Sequence, residues 1–410
     1  MLEANRQTAE KYGIDFSQIE NKVDLKKNLE ILGNDLTFLE FREYERTKHV
    51  HRFHPYLGKF IPQLVEVFLR KYFKSEDWVL DPFSGSGTTL IEANVLGINS
   101  AGIELSGFNV LIQRVKTQKY DLEKAEKEIL DALSRLKKFS QKFQKLSQLS
   151  FFESYNQNQK LIKTASSYLK EWFSPRALEE LLFYRSIIPE YQYQTLLMVI
   201  LSRSARSARL IPHYDLARPK KPIKETYWCI KHKRYCQPID EAFKFIERYS
   251  YDTIKRLKEF VKIRTSAKMI IFEGDAQAIK LPSKYKFQGV FTSPPYVGLI
   301  DYHEQHRYAY ELFDLPRKDQ LEIGPSFRGN SNLAKGLYKQ GIISTFKNLD
   351  AHLIPKAKIF VVANDKYNLY PEIGKALGFK IMDVFHRPVL MRTERDTNRF
   401  FESIFYFQKE

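Results

Sequence analysis

At 410 residues and 43% hydrophobic content, the chain can bury one large core, or one core with a sizeable inserted subdomain, and it is not a disordered protein. Lys and Arg number 66 against 49 for Asp and Glu, a net charge of +17 that favours a polyanionic partner, nucleic acid first. The opening segment has no apolar targeting core and no run of about 18 apolar residues occurs anywhere. With only two cysteines there is no disulfide framework, so a reducing cytoplasm is expected and membrane insertion or export is not.

Residues 1–50 read as a polar, mostly helical arm with no legible chemistry. Two short apolar strands follow within 51–110, "WVLDPF" and "SAGIEL", joined by the glycine-rich turn "SGSGTT" and a helix. From 111 to 265 apolar residues recur at three and four, as in "YQTLLMVILSRSARSARL", which predicts a helical insert. Inside it, "WCIKHKRYC" gathers Cys229, His232 and Cys236. A structural zinc site asks for four ligands, and no second Cys/His pair lies nearby, so no metal is expected. The stretch reads instead as a basic loop in which Lys220, Lys221, Lys231, Lys233 and Arg234 alternate with Tyr227, Trp228 and Tyr235, a composition suited to phosphates and bases. Strands return after 265 with "MIIFEGDA", "GVFTSPPY" and "KIFVVAND", and the chain closes on "FKIMDVFHRPVLM" and "RFFESIFYFQ".

Strands alternating with helices imply a parallel sheet wrapped on both faces, with ligands beyond the carboxyl ends of its strands. Those ends carry Asp81, Glu104, Asp275 and the run Ser293 to Tyr296. Gly85 and Gly87 would let backbone approach a ligand closely, and Glu104 could accept hydrogen bonds from two ribose hydroxyls. A P-loop would need a lysine before the threonine pair, and a dinucleotide fingerprint a third glycine where Leu90 stands. The plainer alternative is a tight turn that serves packing alone.

"DPFSGSGTT" followed by "GIEL", together with "TSPPY", resembles the cofactor and catalytic motifs of S-adenosylmethionine-dependent DNA methyltransferases that modify an exocyclic amino group; "HPYLGKFIP" is similar to a further segment of that family. The resemblance covers 51–110 and 266–410. It implies a class I methyltransferase fold: a seven-stranded, mostly parallel α/β sheet with an antiparallel edge hairpin, here with the helical insert as an added subdomain. It also implies S-adenosylmethionine as cofactor and double-stranded DNA as substrate. Family residues map onto Asp81, Pro82, Phe83, Gly85, Gly87 and Thr88 around the methionine moiety, Glu104 on the ribose and Asp275 near the adenine. Lys59 and Phe60 close over the methionine end. In the family the recognition region usually sits after the third cofactor motif or at one end of the core; here the insert at 111–265 interrupts the core earlier and is the expected DNA-recognition region. Neither the recognition sequence, the oligomeric state nor a companion restriction endonuclease can be read.

The exocyclic amine of cytosine or adenine is a poor nucleophile, its lone pair delocalised into the ring. Acceptors aimed at its protons would favour a pyramidal nitrogen. The Ser293 hydroxyl and the Pro294 carbonyl can play that part, and Pro294 and Pro295 fix the chain so that both are preorganised. Tyr296 offers a flat face for a base rotated out of the duplex. Ser293 taken alone could be a helix cap and Tyr296 a core aromatic. His303 and Arg307 could touch substrate or lie on a solvated helix face, and "EIGPSFRGNSNLAKGLYKQ" reads as a loop over the base or an ordinary surface connection. Carbon-5 methylation needs a cysteine directly after a proline, which neither Cys229 nor Cys236 provides. Serine at the first motif position resembles cytosine-N4 enzymes, with adenine-N6 as the alternative. An RNA guanine-N2 methyltransferase and an inactive nucleic-acid-binding protein remain as other classes.

Overall fold

The structure, a computed structural model, describes residues 1–11, 24–55, 60–148, 164–215, 219–389 and 400–410. Its centre is a seven-stranded sheet built from β1 Trp78–Asp81, β2 Asn99–Glu104, β5 Met269–Glu273, β6 Phe287–Thr292, β7 Leu353–Ala363, β8 Phe379–Val389 and β9 Phe400–Lys409. Their order across the sheet is β5-β2-β1-β6-β7-β9-β8. The first five in spatial order are parallel; β9 runs antiparallel to both β7 and β8, so the closing hairpin forms the edge that the resemblance implied.

Alternation along the strands decides which residue meets which helical layer. Leu80, Val290, Val361 and Phe405 join the core under the helices Asn332–Leu349 and Tyr370–Ala376. Their neighbours Val79, Phe291, Phe360 and Ile404 pack on the opposite face against Pro62–Tyr72. Both faces are therefore covered, which is why these strands read as continuous apolar runs. Residues 25–32 form a helix laid on the edge strand β8, where Lys27 ion-pairs with Asp383 and Asn28 donates to the His386 carbonyl at 2.8 Å. A helix over an exposed strand blocks further pairing there, which gives the polar N-terminal arm a structural task.

The insert enters between β2 and β5. Its helices Leu122–Gln148, Pro175–Ile187, Gln194–Ala208 and Phe243–Val261 bury a core of their own, continuous with residues of Gly107–Thr117 and Arg307–Phe313. Glu180, fully buried, accepts from the backbone N–H groups of Ala242 and Phe243 at 2.7 and 2.8 Å, so a carboxylate closes the N-terminus of the last helix. The basic stretch forms a separate two-stranded hairpin, β3 Tyr227–Cys229 with β4 Arg234–Cys236. No helix among the described residues is long and apolar enough to cross a membrane.

Candidate active site

Strand order reverses on either side of β1 and β6, and the crevice beyond their carboxyl ends is where an open sheet of this kind offers a site. A cleft of about 850 Å³ lies there. Asp81, Pro82, Phe83, Gly85 and Thr88 contribute to its wall from β1 and the turn after it, and Phe60, Glu104 and Asp275 from neighbouring elements. Gly87 does not line it. At φ +80 it caps the helix Thr88–Val95, and a Cβ there would stand 3.0 Å from Gln113 Cγ, so this glycine shapes the turn. Gly85, at φ +50, bends the chain at the cleft itself. Lys59 lies outside the described residues.

The two carboxylates differ in what they do. Asp81 is buried and saturated: Thr292 Oγ1 donates to Oδ1 at 2.6 Å, Thr89 Oγ1 to Oδ2 at 2.7 Å and the Phe83 N–H to Oδ1 at 3.1 Å. It ties the ends of β1 and β6 to the helix that follows the turn. Burial pushes its carboxyl up to about 6 against those bonds. Glu104 accepts from the Ser106 N–H at 2.8 Å, and burial pushes it up to about 7. Asn109 and the Gly85 N–H also favour its charged form, and the carboxylate faces the cleft. Asp275 turns Oδ1 toward the Gln277 N–H, 2.9 Å away. Opposite, His303 is held by Glu322 through Nδ1, and its buried Nε2 has no partner. A glycine turn, a buried carboxylate and an orphaned ring nitrogen around one cleft fit a nucleoside-bearing amino acid such as S-adenosylmethionine.

The Ser-Pro-Pro-Tyr turn begins one residue beyond β6 and divides two clefts. Ser293 and Pro295 line the first, while Tyr296 lines a second of about 430 Å³ together with Tyr338, Asn364, Asp365 and Tyr367. Pro294 is buried between them. The Tyr296 hydroxyl donates to Glu402 Oε1 at 2.9 Å, and Glu402 is paired with Arg387. Ser293 lies close enough to that tyrosine to ease its ionisation. Burial first, then the Glu402 charge, holds the Tyr296 phenol well above its ordinary range. "EIGPSFRGNSNLAKGLYKQ" is only half a loop. Leu321 to Ile323 line the first cleft, but Ser331 caps the helix Asn332–Leu349 by accepting from the Ala334 N–H, with Ala334 and Tyr338 buried beneath it.

Lys220, Lys221, Lys231, Lys233 and Arg234 are all exposed, as are Trp228 and Tyr235. What the sequence reading missed there is His213. It lies upstream of the hairpin, yet its Nδ1 comes within 4.0 Å of Cys229 Sγ. No linear spacing signals that approach. Also missed is a cluster at the start of "HPYLGKFIP": His54 Nε2 lies 3.3 Å from the Tyr308 hydroxyl, and Arg209 sits over the Tyr308 ring at 4.8 Å. Burial holds His54 and His306 well below the usual imidazole range, His306 at about 3, so both are neutral. The arginine period in "SRSARSARL" was the available signal. Arg307 packs over Tyr168 and pairs with Glu311, a helix-surface role.

A model of the DNA methylase family of N6/N4 type matches residues 4–114, and one of the RMKL-like methyltransferase domain matches 68–172. The chain is 42% identical to the Type II methyltransferase M.MjaII of Methanocaldococcus jannaschii across 92% of this chain and 83% of that protein. It is 28% identical to the Type II methyltransferase M.BsoBI of Geobacillus stearothermophilus, covering 72% of this chain and 59% of that one. With M.MvaI of Kocuria varians, also a Type II methyltransferase, identity is 23% over 71% and 63%. A solved structure of TrmN from Thermus thermophilus aligns with 86% of this chain and 50% of its own at 11% identity and a TM-score of 0.33, too slight a likeness to build on.

Proposed function

From its membership of the N6/N4 DNA methylase family, to which this chain belongs as a Type II DNA methyltransferase that uses S-adenosylmethionine as methyl donor, we propose that it methylates the N4 amine of cytosine within a specific duplex sequence. The observation that carries the choice is Ser293 itself: serine at this motif position resembles the cytosine-N4 enzymes, and it lines the first cleft beside Pro295. Tyr296 gives its proton to Glu402, which leaves the Ser293 hydroxyl free to accept at the cleft. An acceptor fixed in that way at the cleft mouth holds an amine proton and turns the nitrogen lone pair outward. The Pro294 carbonyl is the second acceptor. When bound, S-adenosylmethionine supplies a methyl group on a sulfonium centre; Glu104 takes its ribose hydroxyls, Asp275 lies by the adenine, and Asp81 holds the turn that cradles the methionine end.

The base reaches this point by leaving the helix and entering the second cleft, stacked on Tyr296. Extrusion costs a few kcal/mol and stacking offsets roughly 1–3 kcal/mol. Asn364, which lines that cleft, offers an amide to a base edge. Duplex DNA is held by the insert, with Lys220, Lys221, Lys231, Lys233 and Arg234 on phosphates. Carbon-5 chemistry is disfavoured: both cysteines belong to the β3–β4 hairpin, and neither lines the cleft. The test is incubation with methyl-labelled cofactor and mixed-sequence duplex DNA, digestion to nucleosides and identification of the labelled species. N4-methylcytosine is expected. N6-methyladenine would overturn the target assignment and leave the family reading intact.

A further inference from the structure

The β3–β4 hairpin poses a stability problem. Its strands have three residues each, and an isolated two-stranded ribbon is marginal in water. Its outer face adds to the difficulty, since Trp228, Ile230 and Tyr235 are exposed, Tyr235 at 72%. What could pin it lies underneath. Cys229 and Cys236 are buried with free thiols, His232 comes from the turn, and His213 arrives from the segment after Gln194–Ala208. One ligand atom from each of the four lies within 4.8 Å of all the others. His232 Nδ1 is 3.5 Å from Cys236 Sγ, and Cys229 Sγ is 4.0 Å from His213 Nδ1.

We propose that His213, Cys229, His232 and Cys236 bind one structural zinc ion. Zinc bonds to sulfur at about 2.3 Å and to imidazole at about 2.0–2.1 Å, which sets the ligand atoms of a tetrahedron roughly 3.3–3.8 Å apart. The four side chains need close by only about an ångström. Two thiolates with two imidazoles are the zinc donor set; magnesium and calcium take oxygen ligands. Four protein ligands leave no open position, so the ion is a staple and not a reagent. As it enters, both thiols become thiolates and two protons leave. The His213 N–H donates to the Tyr227 hydroxyl at 3.0 Å, which holds this residue over the hairpin. That hydroxyl also lies 3.0 Å from His213 Nδ1, an approach that metal ligation replaces. The other grouping of ligand-type side chains, His49, His51 and Glu92, already has the Lys48 ammonium 2.8 Å from Glu92. The site stands on ligand geometry alone and does not depend on what the hairpin touches.

The full chain, expressed with zinc in the medium and desalted, should carry about one zinc ion per molecule by elemental analysis. Cobalt(II) exchanged into it should give the visible bands of a tetrahedral site and thiolate-to-metal charge transfer. Cys229→Ser and His213→Ala should each lose the zinc while binding cofactor as the parent does in calorimetry, and His49→Ala should keep it. If the serine variant also fails to bind cofactor, the cobalt spectrum of the parent decides, with thiolate charge transfer supporting the site. Absence of zinc from the reduced parent together with failure to take up cobalt would overturn the proposal. So would zinc that survives the double Cys229→Ser/Cys236→Ser change, or a Cys229–Cys236 disulfide in protein from a reducing lysate.

Discussion

Cofactor affinity should depend on pH through Glu104. Ribose hydroxyls donate to a carboxylate, so the ionised form is the one that binds, and burial has moved its titration from about 4.5 to about 7. Below that value the site must first release a proton, and the apparent dissociation constant rises as the proton concentration does. Between about pH 8 and about pH 6 the ionised fraction falls roughly tenfold, about 1.4 kcal/mol of binding free energy. Calorimetric titration of the full chain with S-adenosylmethionine across that range, in two buffers of different ionisation enthalpy, should show affinity rising with pH and proton release near pH 7. Glu104→Gln should bind more weakly at about pH 8, by roughly 1.5–3 kcal/mol for the missing charge-assisted bonds, and its affinity should be flat with pH apart from titration of the cofactor itself. An equal slope in parent and variant would refute the assignment. The same shift has the opposite effect on the empty fold. A carboxyl raised in the folded state contributes stability that is present below about 4.5 and lost as pH rises through about 7, and Asp81 adds to the loss through about 6. The buried neutral imidazoles of His54 and His306 act in the opposite direction, so the Glu104 contribution is read as the difference between parent and Glu104→Gln, whose melting temperatures should draw apart between about pH 5 and about pH 8.

Tyr296→Ala should slow single-turnover methylation by roughly 5- to 150-fold, the loss of one stacking partner, with cofactor affinity kept and partial rescue by a mismatch opposite the target. Ser293→Ala should slow turnover without such rescue; equal rescue of both would show that the two roles are misassigned. Tyr296→Phe keeps the ring but removes the hydroxyl between Ser293 and Glu402, so a drop of roughly two- to tenfold is expected, and a loss as large as that of the alanine variant would exclude stacking as its main task. Neutralising Lys231, Lys233 and Arg234 together should weaken DNA binding for every sequence and lower the logarithmic salt slope by about 0.9 for each phosphate that is no longer neutralised, whereas an unchanged slope would place the DNA elsewhere. Thr292→Val should cost about 1–3 kcal/mol in denaturant melts, because a buried Asp81 oxygen loses the stronger of its two donors, the Phe83 N–H remaining; a neutral result would mean that water replaces it.

The parallel sheet was legible because its strands are buried on both faces, so they stand out as short apolar runs that end in Asp81, Glu104 and Ser293. The glycine turn was legible for a backbone reason, since positive φ at Gly85 and Gly87 admits few other residues. Approaches made across long separations were not. Glu402 sits 106 residues from the tyrosine hydroxyl it accepts, and β9, paired between β7 and β8, carries it there. His213 could not be matched to the cysteines because the segment that brings it back has no periodicity. The helix Asn332–Leu349 was obscured by Gly336 and Gly341, which its cap and buried face outweigh.

The insert leaves and returns through a narrow neck. Arg264 donates to the carbonyls of Thr117 and Gln118 at 2.5 and 2.6 Å, and the Asn94 amide bonds Thr265 and Ala267 on the way back into β5. A segment spanning 146 positions is thereby closed at its base by one guanidinium. Both of its chain ends stay where a direct crossover would have left them. If the insert reads DNA as proposed, the transfer chemistry and that reading can diverge at separate rates, because exchange of everything above the neck leaves the β2–β5 register untouched. The natural graft boundaries lie beside Gln118 and Arg264, provided that the donor segment matches the face that Gln194–Ala208 turns to Gly107–Thr117 and Arg307–Phe313. On the proposed assignment of DNA recognition to the insert, a lineage would acquire a new target sequence by replacing one cassette, with no change to a residue proposed to handle the methyl group.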